Sequence, residues 1–273
     1  MNRILATAAS EFRIAFRNRW VLIATALMVL FSLVLAAAGA APTGDVGVDR
    51  LSITVASLTS LAVYLVPLLA LLMSFDAIAG EVERGTLPLL LTYPVSRLQI
   101  LLGKLLAHLA ILALALVLGY GAAGVMAFVT DPASITALPS LWRLIWTSVL
   151  LGAAFLGLGY TLSSLSRRPS GAAGLAMGLW LLFVVLYDLG LLALVVTDSG
   201  GALTTHVLPV ALLANPADAF RLFNLSAASA VAEAGGIGGA ASAIALWKSA
   251  ASLVLWPVAA LLLAWAAFRK VTP

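Results

Sequence analysis

The chain has 273 residues, of which 63% are hydrophobic and only 10% charged, and its formal net charge is +4. Soluble domains carry about 25% charged residues, so there are too few polar side chains to cover a water-facing surface and the chain belongs in lipid. It contains no cysteine, which excludes disulfides, Cys-ligated zinc, iron–sulfur clusters and a thiolate copper relay.

The first expected element is an amphipathic interfacial helix over residues 3–19. Leu5, Ala8, Phe12, Ala15 and Phe16 recur at helical spacing, and Arg13 and Arg17 lie off that stripe. Such a helix suits the surface of an anionic leaflet, either as an anchor or as a connector that helps hold a cytoplasmic partner. Six apolar runs follow, each near the 20 or so residues a spanning helix needs. They cover 20–41, 52–75, 100–129, 144–165, 172–196 and 243–268. The small residues of "LVLAAAGAAP" resemble a signal-peptide cleavage site, but the run before them is too long for an h-region and is expected to be retained. Pro67 and Pro257 are expected to kink the second and sixth spans.

With the N-terminus in the cytoplasm, the inner segments hold eleven Lys and Arg residues and the outer segments four, Arg50, Arg143, Arg221 and Lys248. The positive-inside rule therefore places both termini of this multi-pass protein in the cytoplasm. The expected architecture is all-α, six transmembrane helices plus an interfacial helix, folded as one domain over residues 1–273. Residues 76–99 then form a cytoplasmic segment, and 197–242 a long periplasmic loop.

The segment 75–100, "FDAIAGEVERGTLPLLLTYPVSRLQI", gathers Asp76, Glu81, Glu83, Arg84 and Arg97 with Pro88 and Pro94 between two greasy runs. Gly85 is expected to break one helix, Thr86 to cap a short second one with Pro88 in its first turn, and Ser96 to restart the chain into the third span. Leu87, Leu89, Leu90, Leu91 and Tyr93 have no use in water, so they are expected to meet a protein groove.

In the long outer loop, "LLANPADAFRLFNL" reads as a short amphipathic helix at the outer surface. Asn215 caps it, Pro216 begins it and Asp218 lies in the first turn; Phe220, Arg221 and Phe223 follow. The glycine-rich stretch 226–242 is a candidate re-entrant segment. Asp188 lies about 20 residues beyond Arg168, or roughly 30 Å, which places it near the outer headgroups; a gating or substrate-side role is the alternative.

Catalytic signatures are missing. The sequence has no GxxxxGK[ST] phosphate loop, no HExxH and no carboxylate pair inside the spans. His108 is expected to be a structural hydrogen-bonding residue, and His206 alone makes a poor metal site. Met28, Met73, Met126 and Met177 are scattered over four spans without adjacent pairs, which disfavours a thioether copper path.

The run "GEVERGTLPLLLTYPVSRLQILLGKLL" resembles the coupling region of ABC-2-type permeases, which commonly read E-x-G-T-L-x-x-L-L-x-x-P-V-S-R followed by G-K. "LLANPADAFRLFNL" resembles a branch of that family serving copper-site assembly in periplasmic nitrous oxide reductase. The resemblance implies an exporter-like fold of the type V class and no cofactor on this chain, with ATP and magnesium bound by a separate ATPase. It implies a second copy of the chain, a cytoplasmic ABC ATPase subunit and a periplasmic β-helical protein as partners, with the lipid bilayer around them and no nucleic acid. Glu81, Glu83, Arg84, Gly85, Thr86, Leu87, Pro88, Leu90, Pro94 and Arg97 would then dock the ATPase. Asn215, Pro216, Asp218, Phe220, Arg221 and Phe223 would meet the periplasmic partner. The alternative on the same fold is an exporter of a lipid-like or peptide substrate.

Overall fold

The computed structural model describes residues 2–16, 19–38, 50–198, 201–225 and 244–272. Among these residues the regular structure is helical, and six helices are long and apolar enough to cross a membrane. The expected six-span, all-α architecture is therefore observed. The helices are α1 (Asn2–Phe16), α2 (Arg19–Ala38), α3 (Arg50–Ser74), α4 (Ala79–Glu83), α5 (Leu87–Thr92), α6 (Arg97–Thr130), α7 (Leu138–Leu165), α8 (Pro169–Trp180), α9 (Tyr187–Asp198), α10 (Leu208–Ala214), α11 (Pro216–Leu225) and α12 (Leu246–Phe268). A π-helical turn joins α8 to α9 as the fifth span. The candidate re-entrant stretch 226–242 and the first loop lie outside the described residues.

Helix α7 is the axis of the bundle. Its segment "GAAFLGLGY", residues 152–160, is buried throughout. Small residues are what allow neighbours to approach there: a Cβ on Gly159 would fall 1.9 Å from the Ser74 hydroxyl of α3, and one on Gly152 would fall 2.1 Å from Leu112 of α6. Helix association in lipid gains little from hydrophobicity, because lipid is as apolar as leucine, so close backbone approach carries the packing. A single apolar cluster runs from Met28 of α2 through Leu58, Leu71, Leu116, Phe155 and Tyr160 to Phe268.

Span boundaries moved where turn chemistry decided them. The fourth span begins at Leu138 rather than 144, because Asp131 caps a short 3₁₀ helix over Pro132–Ala137 that runs straight into α7. The third span is α6, 34 residues long; at 1.5 Å per residue it measures about 51 Å and outreaches a bilayer core of roughly 30 Å. Pro67 and Pro257 lie inside helices that continue past them.

Both chain ends lie at one end of the bundle. Arg3 of α1 donates to the Pro94 carbonyl, and Arg97 at the start of α6 donates to the Phe268 and Val271 carbonyls at 2.5 and 2.8 Å. Helices α4 and α5 are at this same terminal end, while α10 and α11 pack into the opposite, distal half.

Helix α1 meets the bundle through part of its apolar stripe: Ala15 is buried against Val21 and Ile111 with Phe12 packed beside it, and Ala8 is half-buried. Ile4 and Thr7 sit over Gly103 and Glu11 reaches Lys104, while Leu5, Ile14 and Phe16 remain exposed. One face of α1, including Phe12 and Ala15, is thus committed to the bundle, and Leu5, Ile14 and Phe16 lie on its exposed side.

Candidate coupling site

The turn-rich segment between α3 and α6 is built from its own backbone first. Helix α4 ends in a Schellman motif: the Gly85 N–H reaches the Val82 carbonyl at 3.1 Å and the Thr86 N–H reaches the Glu81 carbonyl at 2.9 Å. That closure needs a left-handed residue, and Gly85 supplies it at φ 66°. Thr86 does not cap α5 through its side chain, contrary to expectation; its hydroxyl donates to the Glu81 carbonyl at 3.3 Å instead. The stop geometry of α4 has already claimed the threonine. Ser96 does cap α6, in a capping box with Gln99.

This segment is mounted on the bundle at three places. The Ser163 hydroxyl of α7 accepts the backbone N–H groups of Ile78 and Ala79, both at 2.9 Å. Leu87 is fully buried. The third attachment is ionic: the Lys104 ammonium of α6 donates to Glu81 of α4 at 2.5 Å and to Glu11 of α1 at 2.7 Å. Lys104 is 2% exposed. An unpaired charge at that depth would be costly, so the triad holds the three helices together as a unit.

The residues expected to dock a partner divide accordingly. Glu81 and Leu87 point into the chain's own interior, and Arg97 is turned onto the end of α12, where it also lies over the Phe268 ring at 5.4 Å. Leu90 is half-buried. Glu83, Arg84, Gly85, Thr86, Pro88 and Pro94 are exposed, together with Leu89 and Tyr93. Arg84 pairs with Asp76 at 3.4 Å. What remains is a protruding apolar ridge, Pro88, Leu89 and Tyr93, beside a small charged shoulder on a rigid base.

Sequence reasoning did not select Lys104 or Glu11 as site residues. A lysine one turn inside an apolar span needs a counter-charge, and Glu11 is the one acid in the first 19 residues, so the signal was present but unmatched.

In the distal half, α11 is not a surface helix. Asn215, Pro216, Asp218, Phe220 and Phe223 are buried, against α3, α7 and α12. Asn215 caps α11, accepting the Ala217 N–H at 2.9 Å, and also donates to the Phe183 carbonyl in the π turn at 2.7 Å. Asn224 and Thr147 of α7 are hydrogen-bonded at 3.0 Å. Of the six residues assigned to a periplasmic contact, only Arg221 keeps partial exposure, and it is engaged: it holds Asp188 of α9 bidentately at 2.8 and 3.3 Å and Asp218 at 3.3 Å. Burial raises the Asp218 carboxyl to about 7, with Arg221 opposing the shift and Asp188 adding to it. Asp188 anchors α11 on the fifth span through this pair. His108 hydrogen-bonds Tyr160 at 2.7 Å, as expected of a structural histidine. Among the described residues, no group of three His, Asp or Glu side chains is arranged to hold a metal ion.

This layout, six spans with a mounted element between the second and third and a helical pair tucked into the distal half before the sixth, can now be compared with known proteins. The family profile described as "ABC-2 family transporter protein" matches residues 5–271. The chain belongs to the ABC-2 family of transporter proteins. Among curated relatives, it is 49% identical over 247 residues to the probable ABC transporter permease protein NosY of Pseudomonas aeruginosa, covering 88% of this chain and 89% of the relative. It is 46% identical over 230 residues to the protein of the same description from Stutzerimonas stutzeri, covering 83% and 82%. As an ABC-2 permease it is the membrane component of an ABC transporter, and α4–α5 occupies the stretch that carried the family resemblance.

Proposed function

We propose that this chain couples ATP hydrolysis on a separate cytoplasmic ABC ATPase subunit, NosF-like in kind, to a periplasmic β-helical protein of the NosD type. The process served is copper-site maturation of nitrous oxide reductase, by moving a copper or sulfur species or by transmitting motion alone. The NosY relatives at 49% and 46% identity support this reading. Orientation rests on the eleven-to-four distribution of basic residues, which puts α4–α5 and both termini in the cytoplasm. This chain binds no nucleotide in the reading; ATP and magnesium sit on the partner.

The observation that carries it is the exposed ridge of Leu89 and Tyr93, at 65% and 67% exposure, on a base fixed by Ser163, Leu87 and the Lys104 triad. A flexible loop would absorb displacement; a mounted helix conveys it. ATP binding that draws two ATPase subunits together would push this mount, and α3 and α6 would carry the displacement to the distal half. Nucleotide can shift such an equilibrium only by its differential affinity for the two states.

Two copies are expected. The fifth span is only 6% buried along its apolar stretch within one chain, which leaves its face open for a second copy to pair across, as a closed two-fold assembly of half-transporters requires. In the test, the ATPase subunit is co-purified with tagged permease. Leu89→Asp with Tyr93→Ala leaves insertion intact and abolishes retention, because aromatic anchors dominate interfaces. Undiminished retention would remove the coupling assignment.

A further inference from the structure

A cavity of about 670 Å³ opens at the terminal end between α1, α3, α4, α6 and α8. We propose that it binds a phospholipid with a primary-ammonium headgroup, phosphatidylethanolamine, whose ammonium donates to Glu81 and Asp76. The inference requires only that the six spans cross a bilayer; it does not depend on the maturation role.

Three observations converge. First, the lining is two-sided. Leu68, Leu72, Met73, Ala173 and Met177 form an apolar wall, while Glu11, Asp76, Glu81, Arg84 and Lys104 form a polar one. Second, the polar wall has spare acceptors. Glu81 is 8% exposed, and its Oε1 holds Lys104 while its Oε2 is buried with no hydrogen-bond partner among the described residues. The Asp76 Oδ1, beside Gly80, also lacks a partner, while the rest of the side chain is 43% exposed and its Oδ2 meets Arg84. Buried carboxylate oxygens are rarely left unpaired, so the cavity is short of N–H or O–H donors. Third, among the described lining residues three carboxylates face two cations, Arg84 and Lys104, which favours a ligand that brings positive charge.

The occupant follows from that chemistry and from depth. The walls are the terminal-end tips of spans: Val21 lies in the first turn of α2, Phe75 follows α3 and Pro169 begins α8. Headgroups lie at this level. Leu72 and Met177 are half-exposed on the outward surface, so the apolar wall continues into the region of acyl chains. An ethanolamine headgroup offers three N–H donors to Glu81 and Asp76, and its phosphate can accept from Arg84. Choline has the same charge and phosphate but no N–H, so it leaves both oxygens unpaired. Phosphatidylglycerol brings only negative charge to an acidic wall.

The permease, with its partner subunits, is reconstituted in nanodiscs of phosphatidylethanolamine or phosphatidylcholine, each mixed with equal phosphatidylglycerol. Retained lipid is then counted by native mass spectrometry. Phosphatidylethanolamine is retained over phosphatidylcholine by about tenfold or more, the scale of one charge-assisted hydrogen bond. Asp76→Asn and Glu81→Gln each bring the ratio close to parity, and Ala173→Phe, which fills the apolar side, removes retention of both. Should Glu81→Gln fail to insert for want of its Lys104 bond, Asp76→Asn and Ala173→Phe carry the same test. Equal retention of the two zwitterionic lipids, preferential phosphatidylglycerol, occupation by protein chain instead of lipid, or retention indifferent to the substitutions overturns the proposal.

Discussion

The lysine at position 104 is almost wholly withdrawn from water: it is 2% exposed and bonded to two carboxylates from two other helices. Lys104→Met would leave Glu11 and Glu81 facing each other without a cation. Breaking a buried ionic cluster by removing one partner costs about 3–5 kcal/mol, so the variant is expected to lose most of its folded yield, measured by monodisperse recovery from membranes. Gly85 is a gentler probe. Its φ of 66° is open to alanine only with strain, and Gly85→Ala should cost about 1 kcal/mol while lowering retention of the ATPase subunit. Asp218 gives a pH signature. Its folded carboxyl titrates near 7, above the usual carboxylate range, because it is buried. The folded state therefore binds the proton more tightly than the unfolded chain. Its stabilising contribution is full at acidic pH below the ordinary carboxylate range and is lost as pH rises through about 7. The melting temperature should fall between pH 5.5 and 8, and Asp218→Asn should flatten that slope.

At the scale of elements, the bundle depends on where α3, α6 and α12 touch α7. Gly159 lies so close to Ser74 that even a methyl must displace the hydroxyl or the helix. Gly159→Leu is expected to cost at least about 1–3 kcal/mol by overpacking, visible as a lowered melting temperature; Gly171, with open space around its Cα, should accept leucine without penalty. The α10–α11 pair works differently. Beside the apolar packing of Ala219, Phe220 and Phe223, it carries directional polar attachments, Asn215 to Phe183, Ser252 to Leu213 and Arg221 to Asp188. The π turn of the fifth span brings the Phe183 carbonyl to Asn215, and such turns loosen the regular hydrogen-bond ladder.

At the scale of the whole molecule, one chain leaves the fifth span almost uncovered. The cysteine-free sequence makes pairing simple to test. A single cysteine at Leu186 is expected to cross-link to its copy in native membranes, whereas one at Leu263 of α12, also exposed, should not. Absence of the Leu186 product would count against pairing through this face. The same handle tests orientation: a cysteine at Ala133, between α6 and α7, should react with an impermeant reagent added outside, and one at Thr272 should not.

Periodicity, apolar run length and the placement of arginines were enough to give six spans, a separate N-terminal helix and the segment between the second and third spans, because a bilayer imposes length and polarity on every element that crosses it. Turn chemistry at Gly85, Ser96 and Asn215 was legible for the same reason: these bonds are local. Contacts between distant positions were not. Lys104 finds Glu11 across 93 residues and Arg221 finds Asp188 across 33. Sequence spacing carries no record of which charge meets which once the chain is folded. Nor does an amphipathic pattern tell a helix lying on the surface from one drawn into the bundle, since water, lipid and a neighbouring helix sort polar from apolar side chains alike. Only the packed structure turned Phe220 and Phe223 inward and left Leu89 and Tyr93 standing clear.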